Sequence, residues 1–315
     1  MHAPGANNAP RRDPVQQQSA QADIGESHNQ LSGPIQNFDG ITFTGFSPPD
    51  TVGDVGPDHY IQMVNASFAI YNKTGTLLAG PSNINTLWAG FGGECENENA
   101  GDPIVIYDQA SERWLFSQFT SPSSAPFFMC IAISRTNNPV TGGWNLYAFD
   151  LPAAHDYMKY GLWPDGYYMS TFEGATLGAY VFDRANMLNG NAATFQYFNI
   201  NALTGTRVTR ILPADWDGAT APATGAANPF IRSVDGAVNG GNDRLEMWEF
   251  HTDWATPANS TFTLATTLTT AAFDSDMCGF NRNCIPQPNT AQGVDALSNR
   301  LMHRLQYRNI NGTEH

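Results

Sequence analysis

Short strand-like segments recur from Phe38 onward, and this repetition constrains the fold more than any other feature. Segments rich in aromatic and β-branched residues alternate with turns of Gly, Asn and Asp, and helical periodicity is nearly absent. Residues 104–119 predict a clear hairpin, with a polar turn between two apolar segments. The 29 Gly and 20 Pro, with only 14% charged residues, fit many short strands joined by turns. We therefore predict an all-β fold and exclude a helical bundle.

Several of these segments begin with a turn that carries an aspartate. The turns contain Gly53-Asp54, Gly101-Asp102, Pro164-Asp165 and Val294-Asp295. Propeller blades are four-stranded units of about 40–50 residues before insertions. The order of turn and strand predicts a β-propeller-like domain over residues 38–315, with about five blades or as part of a larger ring. A β-sandwich or two small β domains are the alternatives, because short strands alone do not distinguish them.

The first part of the chain has a different composition. Residues 1–37 are rich in Gln, Asn, Ala and Pro and predict a flexible N-terminal leader without the apolar segment of a signal peptide. The longest apolar run, residues 127–133, is too short for a membrane-spanning helix, which predicts no membrane span. A net charge of −14 argues against a nucleic-acid partner.

The four cysteines predict an oxidising compartment. None forms a C-x-x-C pair, so a zinc ribbon or a thioredoxin-like site is disfavoured. Cys278 and Cys284 flank a short loop and predict a local disulfide, which leaves Cys95 and Cys130 to pair. An even cysteine count and few lysines favour a secreted, extracellular or periplasmic protein over a cytosolic one with free thiols.

Several long motifs resemble a family of large secreted bacterial proteins. These motifs are residues 50–65 (DTVGDVGPDHYIQMVN), 101–108 (GDPIVIYD), 113–119 (RWLFSQF), 160–169 (YGLWPDGYYM), 284–288 (CIPQP) and 300–307 (RLMHRLQY). The resemblance covers about residues 40–310 and implies a β-propeller, with no activity assigned. Family members continue past the region that matches residues 300–315. The resemblance therefore implies a chain that is truncated relative to the family and holds four or five blades of a larger ring; a complete five-bladed ring closed by an N-terminal strand is the alternative.

The repeated aspartates are the candidate catalytic groups. If they open the innermost strands, they meet on one face of the ring, where neighbouring carboxylates separate their pKa values into an acid and a base, as in glycosidases. The predicted catalytic residues are Asp54, Asp102 and Asp165, assisted by His59 and His303. Alternatively, each aspartate caps backbone N–H groups of its own turn.

The same face offers binding groups. Trp163 and Trp216 lie in loops rich in Pro and Asp, where an indole can stack on a sugar ring, and Arg304 follows His303. No cofactor is required, and Ca²⁺ held by Asp54, Asp102 and Asp295 is an alternative use of the carboxylates.

Two functions fit these features. The first is cleavage of an extracellular polysaccharide by a glycoside hydrolase or a lyase, and the second is a non-catalytic glycan-binding or adhesion module with structural Ca²⁺. The Ser-x-Asp-x-Gly-x-Thr-Trp box of sialidase-type propellers is absent from the sequence. The choice between cleavage and binding stays open at this level, because a fold does not imply a chemistry.

Overall fold

Antiparallel sheets make up most of the structure, which confirms the predicted all-β class. The computed structural model describes residues 36–174, 176–201 and 210–315. The predicted leader lies outside these residues except for its last two. Asp39–His315 is one compact unit, and its sheets follow one another in chain order.

The first two sheets are four-stranded meanders. The first contains β1 (Val52–Val55), β2 (His59–Val64), β3 (Ser67–Asn72) and β4 (Leu77–Asn83). The second contains β5 (Gly101–Asp108), β6 (Arg113–Phe119), β7 (Phe127–Ser134) and β8 (Trp144–Leu151). The predicted hairpin is β5 and β6, in which Tyr107 pairs with Trp114.

The third and fourth sheets repeat the same order of strands. The third contains β9 (Asp156–Trp163), β10 (Gly166–Glu173), β11 (Thr176–Phe182) and β12 (Phe195–Asn199). The fourth contains β13 (Leu212–Trp216), β14 (Asn228–Val234), β15 (Arg244–His251) and β16 (Thr261–Thr269).

A late segment adds a strand to the fourth sheet. β17 (Leu305–Tyr307) runs parallel to β13, and Ala214 pairs with Leu305. The two-stranded hairpin of β18 (Asn309–Ile310) and β19 (Thr313–Glu314) follows. Before β17, residues 270–304 are largely irregular. His303 therefore lies in the irregular segment just before β17.

The helices in the described residues are short. They are α1 (Glu94–Asn97), α2 (Arg184–Asn189), α3 (Gly236–Asn239) and the 3₁₀ turns Ile84–Trp88, Pro257–Asn259 and Cys278–Phe280. None of the helices in these described parts has the length and apolarity to cross a membrane.

The first strands of successive sheets lie side by side: β1 beside β5, β5 beside β9, and β9 beside β13. A separate apolar core fills each space between neighbouring sheets. Trp114 and Phe116 lie in the first core, Tyr160 and Phe182 in the second, and Phe230 with its neighbours in the third. Because β5 lies between β1 and β9, it is buried along most of its length, whereas the last strand β16 is mostly exposed.

Both predicted disulfides are confirmed. Cys95 of α1 is bonded to Cys130 of β7, and Cys278 is bonded to Cys284. The first lies buried in the core between the first two sheets. The second closes a small exposed loop before β17.

Candidate functional site

The openings of the first three sheets share an unusual backbone conformation. Asp50, Asp102 and Tyr157 have left-handed φ angles of 42°, 45° and 54°. Asp tolerates this region, but a bulky aromatic residue there costs on the order of 1–3 kcal/mol. Three chain positions distant in sequence therefore adopt one conformation at the same end of neighbouring strands, and such strain is typical of functional sites.

Asn65 links the first two openings. Its Nδ2 donates to Asp50 Oδ2 at 3.1 Å and to Asp102 Oδ1 at 3.4 Å, and its Oδ1 accepts from the Asp102 backbone N–H at 3.1 Å. A side chain at position 101 would collide with Asn65 Oδ1, which explains the glycine before Asp102. The amide of Asn65 thus holds two carboxyl groups beside each other.

Asp102 is the carboxyl group most altered by its surroundings. Burial, a hydrogen bond with Asp156 and the charges of Asp50 and Asp156 raise its pKa from 3.8 to about 7. Like charges in contact cannot all ionise at the same pH, so one carboxyl group keeps its proton. Asp102 can therefore serve as a proton donor near neutral pH.

These carboxyl groups line a large cavity of about 1040 Å³, hereafter the Asp102 cavity. Its lining includes Asp50, Asn65, Asp102, His155, Asp156, Tyr157, Phe172, Arg210, Arg282, Asp295 and Arg300. A smaller hollow of about 200 Å³ shares Asp50, Asp102 and Tyr157 with it and is also lined by Lys159. The volume is at the upper end of the range for ligand sites, about 300–1,000 Å³.

Cationic groups surround the ring of Tyr157. Lys159 Nζ lies 4.0 Å from the ring centroid, and the guanidinium carbons of Arg300 and Arg210 lie 4.8 and 5.4 Å from it. Arg210 also lies 3.8 Å from the centroid of Phe172. Burial lowers the pKa of Lys159, and the nearby carboxylates, that of Asp102 first, oppose this shift. The cavity thus combines acidic, cationic and aromatic groups.

His155 has an unsatisfied nitrogen at this cavity. The residue is only 2% exposed, and its Nδ1 lies 3.1 Å from the carbonyl oxygen of Ala153. Because a carbonyl only accepts, Nδ1 carries the proton and Nε2 is an acceptor. Nε2 has no hydrogen-bond partner among the described residues. Burial lowers the pKa of His155, which favours the neutral ring.

A second pair of aspartates, Asp54 and Asp215, lies on the first strands outside the Asp102 cavity. Arg304 reaches Asp54 of β1 at 3.4 Å and Asp215 of β13 at 3.1 Å. Asp54 also accepts the Tyr107 backbone N–H at 2.8 Å, and Asp215 accepts that of Leu162 at 2.8 Å. Each carboxylate thus ties its own strand to the first strand of the neighbouring sheet. They line a small cavity of about 120 Å³ with Trp216 and Arg304.

The structure separates the predicted catalytic residues. Asp102 lines the Asp102 cavity, but Asp54 and Asp165 do not. Asp165 accepts the hydroxyl of Tyr168 at 3.1 Å in the turn after β9. His59 is buried at the start of β2, and burial lowers its pKa. His303 Nε2 lies 3.3 Å from the carbonyl oxygen of Tyr160; desolvation by the surrounding protein and nearby positive charge lower its pKa to about 4.

The predicted binding residues are likewise dispersed. Trp163 is buried and donates to the Ala226 carbonyl at 2.9 Å, so its ring belongs to the core. Trp216 and Arg304 line the small cavity together with Asp54.

The three predicted calcium ligands do not meet. Asp295 lines the Asp102 cavity but pairs with Arg282 at 3.4 Å, and Asp54 lies in the small cavity. Within residues 36–174, 176–201 and 210–315, no group of three or more His, Cys, Asp or Glu side chains is arranged to hold a metal ion. Calcium at Asp102 stays a prediction.

Sequence reasoning missed four residues of the Asp102 cavity: Asp50, His155, Asp156 and Tyr157. Asp50 stands in the same motif as Asp54 and gave a usable signal. Residues 155–157 match none of the motifs and become visible only through the register of β9.

Comparison of the chain with models of protein families, and with curated proteins, finds no match.

Proposed function

We propose that the protein is a secreted β-propeller that cleaves an extracellular polysaccharide in the Asp102 cavity. The observation that carries this proposal is that Asp50, Asp102 and Asp156 line one cavity, where burial and the neighbouring carboxyl groups raise the pKa of Asp102 to about 7. A buried acid beside other carboxyl groups, in a large cavity, is the arrangement that acid-catalysed glycoside cleavage requires.

The propeller architecture is supported by the order of the strands. The first strands of the four sheets lie side by side in chain order, and in the fourth sheet exposure rises from the first strand to β16. Four blades around one axis would produce this pattern. The resemblance to a secreted bacterial propeller family agrees with it, and the two disulfides support an oxidising, extracellular or periplasmic location.

The proposed reaction is hydrolysis. Asp102 donates its proton to the glycosidic oxygen as the bond from that oxygen to the anomeric carbon breaks. A water molecule adds its hydroxide to the anomeric carbon and returns its remaining proton to the carboxyl group of Asp102. Asp50 and Asp156 stabilise the positive charge that develops on the sugar ring.

The test is a screen of extracellular polysaccharides for new reducing ends. Asp102→Asn should lower cleavage at least 100-fold, whereas Asp165→Asn, a matched change outside the cavity, should leave it near the wild-type rate. Because Asp102 must carry its proton, activity should fall above about pH 7. An increase in the absorbance of unsaturated uronate would instead show that the reaction is an elimination and the protein a lyase.

A non-catalytic glycan-binding or adhesion module is the second candidate. The rings of Tyr157 and Phe172 at the cavity favour it, because aromatic rings bind sugars without any chemistry. Binding without products across the screen, unchanged in Asp102→Asn, would identify this function. Structural Ca²⁺ is tested separately by a thermal melt with a chelator, and an unchanged midpoint would argue against it.

A further inference from the structure

The cations of this acidic protein gather at one place. The chain has 15 Lys and Arg against 29 Asp and Glu. Four of these cations, namely Lys159, Arg210, Arg282 and Arg300, line the Asp102 cavity or the hollow that adjoins it. Four carboxyl groups, those of Asp50, Asp102, Asp156 and Asp295, line the same cavity, and Asp295 pairs with Arg282 at 3.4 Å. An anion would therefore be bound by an individual cation of the lining and not by an overall excess of positive charge.

Arg300 lacks the carboxylate partner that other arginines have. Arg184 binds Asp108 at 2.7 Å and Arg232 binds Glu246 at 2.6 Å. Arg300 instead donates to the side-chain oxygen of Asn299 at 3.1 Å and lies over the ring of Tyr157. No carboxylate in the described part of the chain forms an ion pair with it, so its guanidinium can bind an acidic group of a ligand.

We infer that the Asp102 cavity binds an anionic polysaccharide, with Arg300 contacting the acidic group of a sugar. The inference rests on the proposed function only in taking the cavity as a glycan site. Lys159 adds positive charge beside the same aromatic ring, at 4.0 Å from the centroid of Tyr157. Neutral polysaccharides offer these two cations no anionic group and should bind more weakly.

Calorimetric titration of the full chain with three polymers tests this inference. Polygalacturonate and a sulfated galactan carry carboxylate and sulfate, and carboxyl-reduced polygalacturonate is the neutral match. We expect at least one acidic polymer to bind at least 10-fold more tightly than the neutral one, and the stronger of the two identifies the acidic group. Equal affinity for neutral and acidic polymers, or no binding of any of them, would overturn the inference.

Variants of Arg300 test whether this residue contacts the acidic group of the sugar. Arg300→Gln should reduce affinity for the acidic polymer about 10-fold without changing that for the neutral one, and Arg300→Lys should restore part of it. Arg113→Gln is the matched control, because Arg113 lies outside the cavity lining and donates to the carbonyls of Ser111 and Glu112. An unchanged affinity in Arg300→Gln would refute the assignment. Circular dichroism checks that each variant is folded.

The two proposals fail in different ways. If the acidic polymer binds but is never cleaved, the anionic specificity stands and the hydrolase proposal falls. If a neutral polysaccharide is cleaved and Asp102→Asn stops the cleavage, the hydrolase stands and the anionic specificity falls.

Discussion

Arg304 binds Asp215 at 3.1 Å and so joins the segment before β17 to the strand beside it. Asp215 is 3% exposed, and burial raises its pKa to about 6 although the positive charge of Arg304 opposes the shift. An arginine placed against a buried carboxylate stabilises the fold mainly by preventing an unpaired buried charge. The pair therefore makes folding sensitive to pH.

Arg304→Gln should destabilise the protein by about 2–3 kcal/mol at pH 8 and by less at pH 5. The variant raises the pKa of Asp215 further, and a raised folded-state pKa means that stability is lost as the pH rises through it. Urea unfolding at both pH values measures the difference. The control is Arg308→Gln, which removes a more exposed pair with Asp217 and should cost under about 1 kcal/mol. Equal losses at the two pH values would contradict the role of Asp215.

Asp102→Asn should stabilise the protein at pH 8. The folded-state pKa of about 7 lies above the ordinary 3.8, so the wild type loses stability as the pH rises from about 4 to above 7. Asn mimics the protonated form and does not lose this stability. The free energy of unfolding of the variant at pH 8 should therefore exceed that of the wild type by roughly 1–3 kcal/mol after allowance for solvent screening. Thermal melts from pH 4 to pH 8 should show the two proteins diverging with pH, and parallel curves would rule out the raised pKa.

Asn65→Ala should destabilise the protein by roughly 1–3 kcal/mol, because Asn65 is 7% exposed and its loss leaves the Asp102 backbone N–H without its acceptor. Urea unfolding measures the loss. Asn191→Ala, at an exposed position, should change stability by less than about 0.5 kcal/mol. A loss in Asn65→Ala no larger than in this control would show that the link between the first two sheets contributes little.

The two disulfides should contribute unequally. The bond between Cys95 and Cys130 spans 35 residues, and that between Cys278 and Cys284 spans 6. Loop-closure entropy then gives about 4 kcal/mol for the first and about 2 kcal/mol for the second. Denaturation of the two double-alanine variants compares them, and a larger loss for the exposed loop would reverse this ranking.

The sequence predicts the all-β class and the disulfide between Cys278 and Cys284 correctly because these depend on local signals, and the pairing of Cys95 with Cys130 then follows by elimination. Aromatic and β-branched segments predict strands without knowledge of their neighbours, and a short spacing predicts the pairing of Cys278 and Cys284. The four-sheet order also follows from hairpins between consecutive strands.

The composition of the site could not be predicted in the same way. Gly53-Asp54 and Gly101-Asp102 are identical pairs, yet the residue that shares the conformation of Asp102 is Asp50. In the third sheet Tyr157 has this left-handed conformation. A sequence search for aspartates therefore selects Asp165, which lies in the turn after β9. Positions that are equivalent in the backbone of successive sheets can carry different side chains. A sequence search for one residue type therefore finds only some of them.

The parallel pairing of β17 with β13 also affects how the protein folds. Most strands pair with a close sequence neighbour, but Leu305 must find Ala214 from far along the chain. Such a contact has a high contact order, and its loop-closure entropy must be overcome before the pairing is stabilised. During synthesis on the ribosome, the strands β1 to β16 can therefore pair with their neighbours first, and the fourth sheet gains its fifth strand only when residues 305–307 emerge.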